Sequence, residues 1–312
     1  MTQSARWKSF LVPLDGSRLA EAVLPATASL ASRSHATVTL LHIVERKAPA
    51  TIHGERHLTT AAEASSYLED VAANLRKSGV EVECHVHDDK EDSVALSIFE
   101  HVQEMGSDLV IMCTHGNGGL RGLLFGSIAQ KTLQRGAQSI LLVFPHEDGS
   151  MPRFDLQRIL VPLDGVVAHE PALPSAIKLA HTFNASIHLV LVIPTLATLS
   201  GGQAVSGMLL PTTMRAVLNL AQQGATDYLD QVLALCRSEG ISVTAEVLRG
   251  DAAPQIVGLA ERLNIDLIVM ASHGRSGLDA LFAGSVAPRI AGRMERALLL
   301  VRATDTQDEL VR

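Results

Sequence analysis

Apolar and polar positions follow one another along the chain in a pattern that predicts strands and helices in regular succession. Short runs rich in Val, Ile and Leu, which are typical of buried strands, alternate with segments whose apolar positions recur at helical spacing. In the first half, strands are predicted at 9–14, 36–44, 80–86, 108–112 and 139–144, with helices at 18–31, 60–77, 92–104 and 126–135. Right-handed crossovers then predict a doubly wound, parallel sheet.

The same pattern starts again after a linker of turn-forming and charged residues at 145–154. Residues 158–165 nearly copy residues 9–16, and later strands are predicted at 187–193, 241–248 and 297–301. The connection 194–211 is rich in Gly, Ser and Thr, which predicts a mobile surface loop. We therefore predict two tandem doubly wound α/β domains, residues 1–147 and 148–312, with helices on both faces of each parallel sheet.

Composition narrows the class of protein. The 312 residues are 47% hydrophobic but only 3% aromatic, so the cores must be built from aliphatic side chains, which suits parallel strands. A net charge of −7 argues against nucleic-acid and membrane partners. Three scattered cysteines argue against a disulfide framework, and the start of the chain has no apolar signal core. We expect a cytoplasmic protein.

One motif occurs in both halves and carries the candidate chemistry. A β-branched run from Asp108 leads into a Gly-rich loop that ends at Gly126-Ser127, and the run from Asp266 does the same at Gly284-Ser285. Glycines allow the main chain to approach a ligand closely, and the free N–H groups of a helix N-terminus favour phosphate. The motif therefore predicts an anion site in each half.

These residues resemble the universal stress protein family over essentially the whole chain, once per half. The resemblance is carried by Val-Pro-Leu-Asp-Gly, by Leu-Leu-His-Ile-Val and by Asp-Leu-Val-Ile-Met-x-Thr-His-Gly-x9-Gly-Ser. Nucleotide-binding members of this family show Gly-x2-Gly-x9-Gly-Ser/Thr, whereas here Cys113 and Ala271 stand at the first glycine. The resemblance implies five strands per domain in the order 3-2-1-4-5, with the ligand at the carboxyl ends of strands 1 and 4.

The resemblance also implies roles for individual residues. Asp15 and Asp164, with the backbone at Ile43 and Val192, would hold the adenosine end of a nucleotide, while the Gly loops and their serines would hold its phosphates. Arg121 in the first copy and Arg275 in the second are within reach of phosphate. The full predicted nucleotide site comprises Pro13, Leu14, Asp15, Ile43, Met112, Cys113, Gly116, Arg121, Gly126, Ser127 and Ile128, with Pro162, Leu163, Asp164, Val192, Met270, Ala271, Gly274, Arg275, Gly284, Ser285 and Val286.

Three other groups of residues could have a catalytic, metal-binding or redox role, but each has a simpler structural interpretation. His115 and His273 flank the Gly loops, yet no nucleophile or acidic partner is recognisable near them, so we interpret them as structural. Cys84 precedes His85 and His87, but neighbours on a strand point to opposite faces, which argues against a zinc site. Cys113 lies beside a predicted helix start, where a thiol can be reactive, but we interpret it as a packing residue.

The resemblance thus implies an ATP-binding, stress-associated regulator, and the absence of a recognisable base, metal cage or activated nucleophile predicts that it lacks robust catalysis. The cofactor would be ATP, with or without Mg, and no dedicated metal site is expected. The two domains are expected to pair with one another through their last strands, 139–144 and 297–301, and these candidate edge strands also suggest a homodimer. Two alternatives stay open: a nucleotide-free scaffold for an unknown protein partner, and a slow ATPase assisted by His115 or His273.

Overall fold

A computed structural model describes residues 7–91, 93–114, 127–135, 138–145, 153–165, 171–199, 201–272, 286–293 and 296–302. Its contacts divide the chain into two units, one formed by residues 1–155 with 295–302 and the other by 156–294 with 303–312. The family-like motif is present once in the main segment of each unit.

Unit 1 begins with a strand, a short 3-10 helix (Ala20–Val23) and a crossover helix. Its elements in the segment up to residue 155 are β1 (Ser9–Pro13), α1 (Leu24–Ser34), β2 (Thr37–Glu45), β3 (Thr51–Ile52), β4 (Glu55–Arg56), α2 (Ala61–Arg76), β5 (Val82–Glu91), α3 (Val94–Met105), β6 (Leu109–Cys113), α4 (Ser127–Arg135) and β7 (Ser139–Val143).

Unit 2 repeats the succession with a longer excursion after its second strand. Its elements are β8 (Arg158–Leu163), α5 (Ala172–Phe183), β9 (Ser186–Ile193), α6 (Gly201–Leu209), α7 (Pro211–Ser238), β10 (Val243–Arg249), α8 (Ala252–Arg262), β11 (Leu267–Ser272) and α9 (Val286–Ala291). The last strand of the chain, β12 (Ala297–Arg302), groups with unit 1.

The strand orders confirm the predicted doubly wound fold. In unit 1 the parallel strands lie in the order β5-β2-β1-β6-β7, which is the order 3-2-1-4-5 when only the parallel strands are numbered along the unit. In unit 2 the order β10-β9-β8-β11 is 3-2-1-4 on the same numbering. Seven successive residues of β2 are buried. Since neighbouring side chains on a strand point to opposite faces, helices must cover both faces of the sheet.

Strand β7, a candidate edge strand in the sequence, has a neighbour in the structure. Within unit 1 it pairs antiparallel with β12, and Leu142 lies opposite Leu298. Leu298 and Leu142 are both buried. An aliphatic strand with an unpaired row of N–H and C=O groups would be a site of aggregation, and this pairing removes it.

The first strand of each unit is held by the same carboxylate. Asp108 Oδ2 accepts hydrogen bonds from the backbone N–H groups of Lys8 and Ser9 at 2.5 and 3.1 Å. Asp266 Oδ2 accepts from Gln157 and Arg158, both at 2.8 Å. Each aspartate stands just before the fourth strand of its unit, so its side chain fixes the start of the first strand against the fourth.

The connection 194–211 was wrongly predicted as a loop, because most of it forms α6 and the first residue of α7. A Cβ on Gly207 would lie only 3.0 Å from Leu199 Cδ1, so the glycine lets α6 pack closely on the preceding turn. Ser206 Oγ donates to the Gly202 carbonyl within the helix at 3.1 Å. Gly207, one of the residues that suggested a loop, therefore serves the packing of a helix.

Candidate functional site

In unit 1 the candidate site starts with Asp15, directly after β1. Its Oδ1 accepts hydrogen bonds from Ser17 N at 2.9 Å and from Ser17 Oγ at 2.7 Å, and the Ser17 hydroxyl accepts from Ala20 N at the start of the 3-10 helix. Gly16 supplies the turn with a φ of +91°, a conformation that other residues rarely adopt. The carboxylate is therefore fixed in direction by its own turn, with 26% of its side chain exposed.

The neighbouring strands end beside this turn. His42 on β2 is buried, and its Nδ1–H donates to the Leu14 carbonyl at 2.8 Å, which fixes the end of β1. Burial lowers the pKa of His42, although the Leu14 carbonyl favours the proton, so the ring is neutral at pH 7. Sequence reasoning named Ile43 but missed His42, which the Leu-Leu-His-Ile-Val motif contains.

Cys113 ends β6 on the other side of β1. Burial raises the pKa of its thiol to about 12, and the negative charge of Asp15 acts in the same direction. Its Sγ contacts the Thr114 carbonyl at 3.2 Å. A thiol that holds its proton is a poor nucleophile, so the structure favours the packing interpretation of Cys113 over a reactive cysteine.

A hairpin that the sequence analysis did not predict covers this end of unit 1. Strands β3 and β4 are joined by His53 and Gly54, with φ of +51° and +82°, as in the two-residue turns of hairpins. His53 Nε2 lies 3.6 Å from Asp15 Oδ2, and Glu55 Oε1 accepts a hydrogen bond from Arg18 N at 3.0 Å. The sequence signal for this hairpin was a polar residue followed by Gly, between two short segments that can form strands.

Unit 2 has the same positions, and its aspartate is more exposed. Pro162 and Leu163 end β8, and Asp164 follows them with an exposed side chain, whereas Asp15 is only part exposed. Val192 lies near the end of β9, and Met270 and Ala271 lie near the end of β11. The buried His42 of unit 1 has Leu191 as its counterpart in the repeated pattern. The two units therefore differ in both exposure and polarity at the same place.

The Gly loops themselves lie outside the described residues. The singled-out residues that fall there are His115, Gly116, Arg121 and Gly126 in the first copy and His273, Gly274, Arg275, Gly284 and Ser285 in the second. Ser127 begins α4 and is followed by Ile128, and Val286 begins α9. The remaining predicted residues lie at or next to the carboxyl ends of strands, among them Pro13, Leu14 and Met112 in unit 1 and their counterparts in unit 2.

The Cys84 region behaves as strand geometry predicts. Cys84 interacts with Glu69 of α2, and burial with this partner raises the pKa of its thiol to about 11. His85 points to α3 instead, where its Nε2 lies 3.0 Å from His101 Nε2. Across the ranges that the structure describes, no group of three or more His, Cys, Asp or Glu side chains is arranged to hold a metal ion.

Two doubly wound α/β units, each with an aspartate after its first strand and a Gly-rich sequence after its fourth, define a tandem protein of the doubly wound α/β class. The sequence model of the universal stress protein family matches residues 6–143 and again 156–302. The chain belongs to the universal stress protein family, with two copies of its domain.

Some relatives match about half of this chain, and others match nearly all of it. A universal stress protein of Methanocaldococcus jannaschii is 27% identical over 146 residues, which are 47% of this chain and 82% of the relative. One of Mycolicibacterium smegmatis is 24% identical over 97% of this chain and 99% of its own. A Pseudomonas aeruginosa protein of unknown function has a solved structure that matches 98% of this chain and 96% of its own, with a TM-score of 0.69 and 18% identity, which shows the fold.

No helix within the described ranges is both long and apolar enough to cross a membrane.

Proposed function

We propose that this protein binds ATP at the carboxyl end of the sheet in one or both units and acts as a nucleotide-dependent regulator in stress responses. The observation that carries the proposal is the convergence of Asp15 and Cys113. Asp15 follows β1 and Cys113 ends β6, and the outer neighbours of these two adjacent strands, β2 and β7, lie on opposite sides of the pair. Asp15 is close enough to raise the pKa of Cys113. Open α/β sheets bind ligands at this switch point.

Each part of the nucleotide has a chemically suitable partner in this proposal. The carboxylate of Asp15 or Asp164 accepts hydrogen bonds from ribose hydroxyls or the adenine amino group, and the backbone near Ile43 or Val192 lines the adenosine. The Gly loops and Ser127 or its counterpart provide N–H and hydroxyl groups for the phosphates, with or without Mg. These elements provide binding without an activated nucleophile, so the proposed role is that of a sensor.

The two units are proposed to bind with different affinity. Asp15 Oδ1 already accepts two hydrogen bonds from Ser17, and its Oδ2 faces His53 in the covering hairpin. A nucleotide in unit 1 has to share or displace these contacts, which costs binding free energy. Asp164 is more exposed than Asp15, so the two sites are proposed to be unequal, with no order assigned to their affinities.

The test is to denature freshly purified protein and measure the released nucleotides per chain by anion-exchange chromatography, followed by titration with ATP, ADP and AMP. Gly284→Val should remove binding in unit 2, and Gly126→Val should remove binding in unit 1. Gly258→Val is the control, because Gly258 lies in α8 with open space around its Cα. ATP binding that survives both loop variants would refute the site. Absence of any nucleotide binding at millimolar concentration would leave the scaffold alternative.

A further inference from the structure

A cavity in unit 2 combines two arginines with an apolar wall. Its volume is about 460 Å3, and Arg215 and Arg249 line it together with Leu196, Leu218 and Asn219. This volume lies within the range of roughly 300–1,000 Å3 that is typical of small-molecule sites. The cavity lies where β9 and β10 end, on the strands 2 and 3 of the unit, and so differs from the switch point between strands 1 and 4.

Arg249 is held in the cavity by hydrogen bonds to neutral groups, and within the described residues all of its hydrogen-bond partners are neutral. Its Nε donates to Gln222 Oε1 at 2.7 Å, and one Nη donates to Asn219 Oδ1 at 3.1 Å and to the Leu218 carbonyl at 3.4 Å. These bonds hold the guanidinium in one orientation between α7 and β10. They do not neutralise its charge, which is half-buried.

The backbone explains why Arg249 is placed there. It is the last residue of β10, opposite Ile193 at the end of β9, and Gly250 follows with a φ of +140°. The Gly250 N–H donates to the Ile193 carbonyl at 2.9 Å, so the two strand ends are tied together. The adjoining turn is fixed by a hydrogen bond of 2.7 Å from Thr195 N to Thr198 Oγ1, and this turn contributes Leu196 to the wall.

Arg215 adds a second positive charge from the first turns of α7. The lining residues within the described part of the chain include no aspartate or glutamate. The nearby Asp251 forms an ion pair with Arg289. Two guanidinium groups that face one cavity repel each other, and an anion between them would relieve this repulsion and accept charge-assisted hydrogen bonds.

We propose that this cavity binds a small molecule that carries a carboxylate or phosphate group on an apolar body. Arg249 and Arg215 hold the oxyanion, and Leu196 and Leu218 contact the apolar part. Because Arg249 is already oriented, little side-chain entropy is lost when the anion binds. The cavity differs from the proposed ATP site, since its described lining residues come from α7, the end of β10 and the turn after β9 rather than from the ends of strands 1 and 4 of the unit.

Isothermal titration calorimetry with phenyl phosphate tests the proposal, and benzyl alcohol serves as the neutral probe. Phenyl phosphate should bind saturably, whereas benzyl alcohol should not bind at the same concentrations. Arg215→Gln should weaken the binding about tenfold, and Arg249→Gln at least as much, because each removes charge-assisted hydrogen bonds. Arg237→Gln is the matched control, an exposed arginine in the last turn of the same helix.

Arg249→Gln also removes bonds between α7 and β10, so its fold is checked by circular dichroism. Arg215 is exposed and makes no hydrogen bond or ion pair within the described residues, so its variant should fold normally and decides the matter. Phenyl phosphate binding that is unchanged in Arg215→Gln and Arg249→Gln, or benzyl alcohol binding of equal strength, would overturn the proposal.

Discussion

The aspartates that hold the first strand of each unit allow a prediction of stability that can be worked from the structure. Asp108 and Asp266 each accept two backbone hydrogen bonds, and both side chains are only half-buried. Each bond to a carboxylate in such a place contributes about 1 kcal/mol, so replacing either aspartate by alanine should lower the free energy of unfolding by about 2 kcal/mol. With an m-value of about 2 kcal/mol per M, the urea midpoint should fall by about 1 M.

The single tryptophan makes the assay specific for one unit. Trp7 lies next to Lys8, one of the donors to Asp108, and packs edge-on against Phe10 at a centroid distance of 6.3 Å. Tryptophan fluorescence therefore follows unit 1, whereas far-ultraviolet circular dichroism follows both units. Asp108→Ala should shift the fluorescence transition. Asp266→Ala should shift the circular dichroism transition with equal magnitude.

Asparagine variants at the same two positions are the matched controls. Asparagine keeps an acceptor oxygen but loses the charge, so Asp108→Asn and Asp266→Asn should each cost less than the alanine variant. The reasoning would be refuted if neither alanine variant lowered a midpoint, or if the asparagine variants were as unstable as the alanine variants.

Three further predictions concern the surroundings of the candidate site and the histidines. Gly16→Ala should destabilise the protein more than Gly79→Ala, as thermal unfolding would show. Both glycines have a positive φ, but only at Gly16 would the new Cβ lie 2.7 Å from Leu58 Cδ1. Burial and a neighbouring histidine lower the pKa of His85 in the folded state, so its contribution to stability is complete above pH 6.5 and is lost as the pH falls below that value. His85→Gln should therefore flatten the pH dependence of the unfolding free energy between about pH 7 and 5. An unchanged slope would contradict this. Cys113 should resist iodoacetamide at pH 8 until urea is added, as mass spectrometry would show, since its pKa is about 12; rapid alkylation of the folded protein would contradict it.

The fold was predictable because its main signals are local. Apolar runs such as residues 36–44 lie almost wholly in a buried strand, observed at Thr37–Glu45, and the second copy of the pattern gave the tandem arrangement. Boundaries were less accurate: the strand predicted at 80–86 extends over Val82–Glu91. Strand ends depend on pairing with a neighbour, here β2, and pairing is not a property of the segment itself.

The features that the sequence analysis missed depend on contacts between distant segments. The β3–β4 hairpin gains its place from Asp15 and Arg18, which lie more than thirty positions earlier in the numbering. Helix α6 was predicted as a loop because its segment is rich in glycine, which disfavours helices on its own, whereas in the structure Gly207 allows close packing on Leu199. In both cases tertiary contact outweighed local preference.

The sequence by itself determined the class of fold, the tandem repeat, the positions of Asp15 and Asp164 after their strands, and the family. These follow from periodicity and from motifs whose residues are close together in the chain. Only the tertiary structure decided that Asp15 is engaged by Ser17 and faces His53, that β12 covers β7, and that Arg215 and Arg249 share one cavity. The physical reason is that burial, charge pairing and strand order arise between segments that only folding brings together.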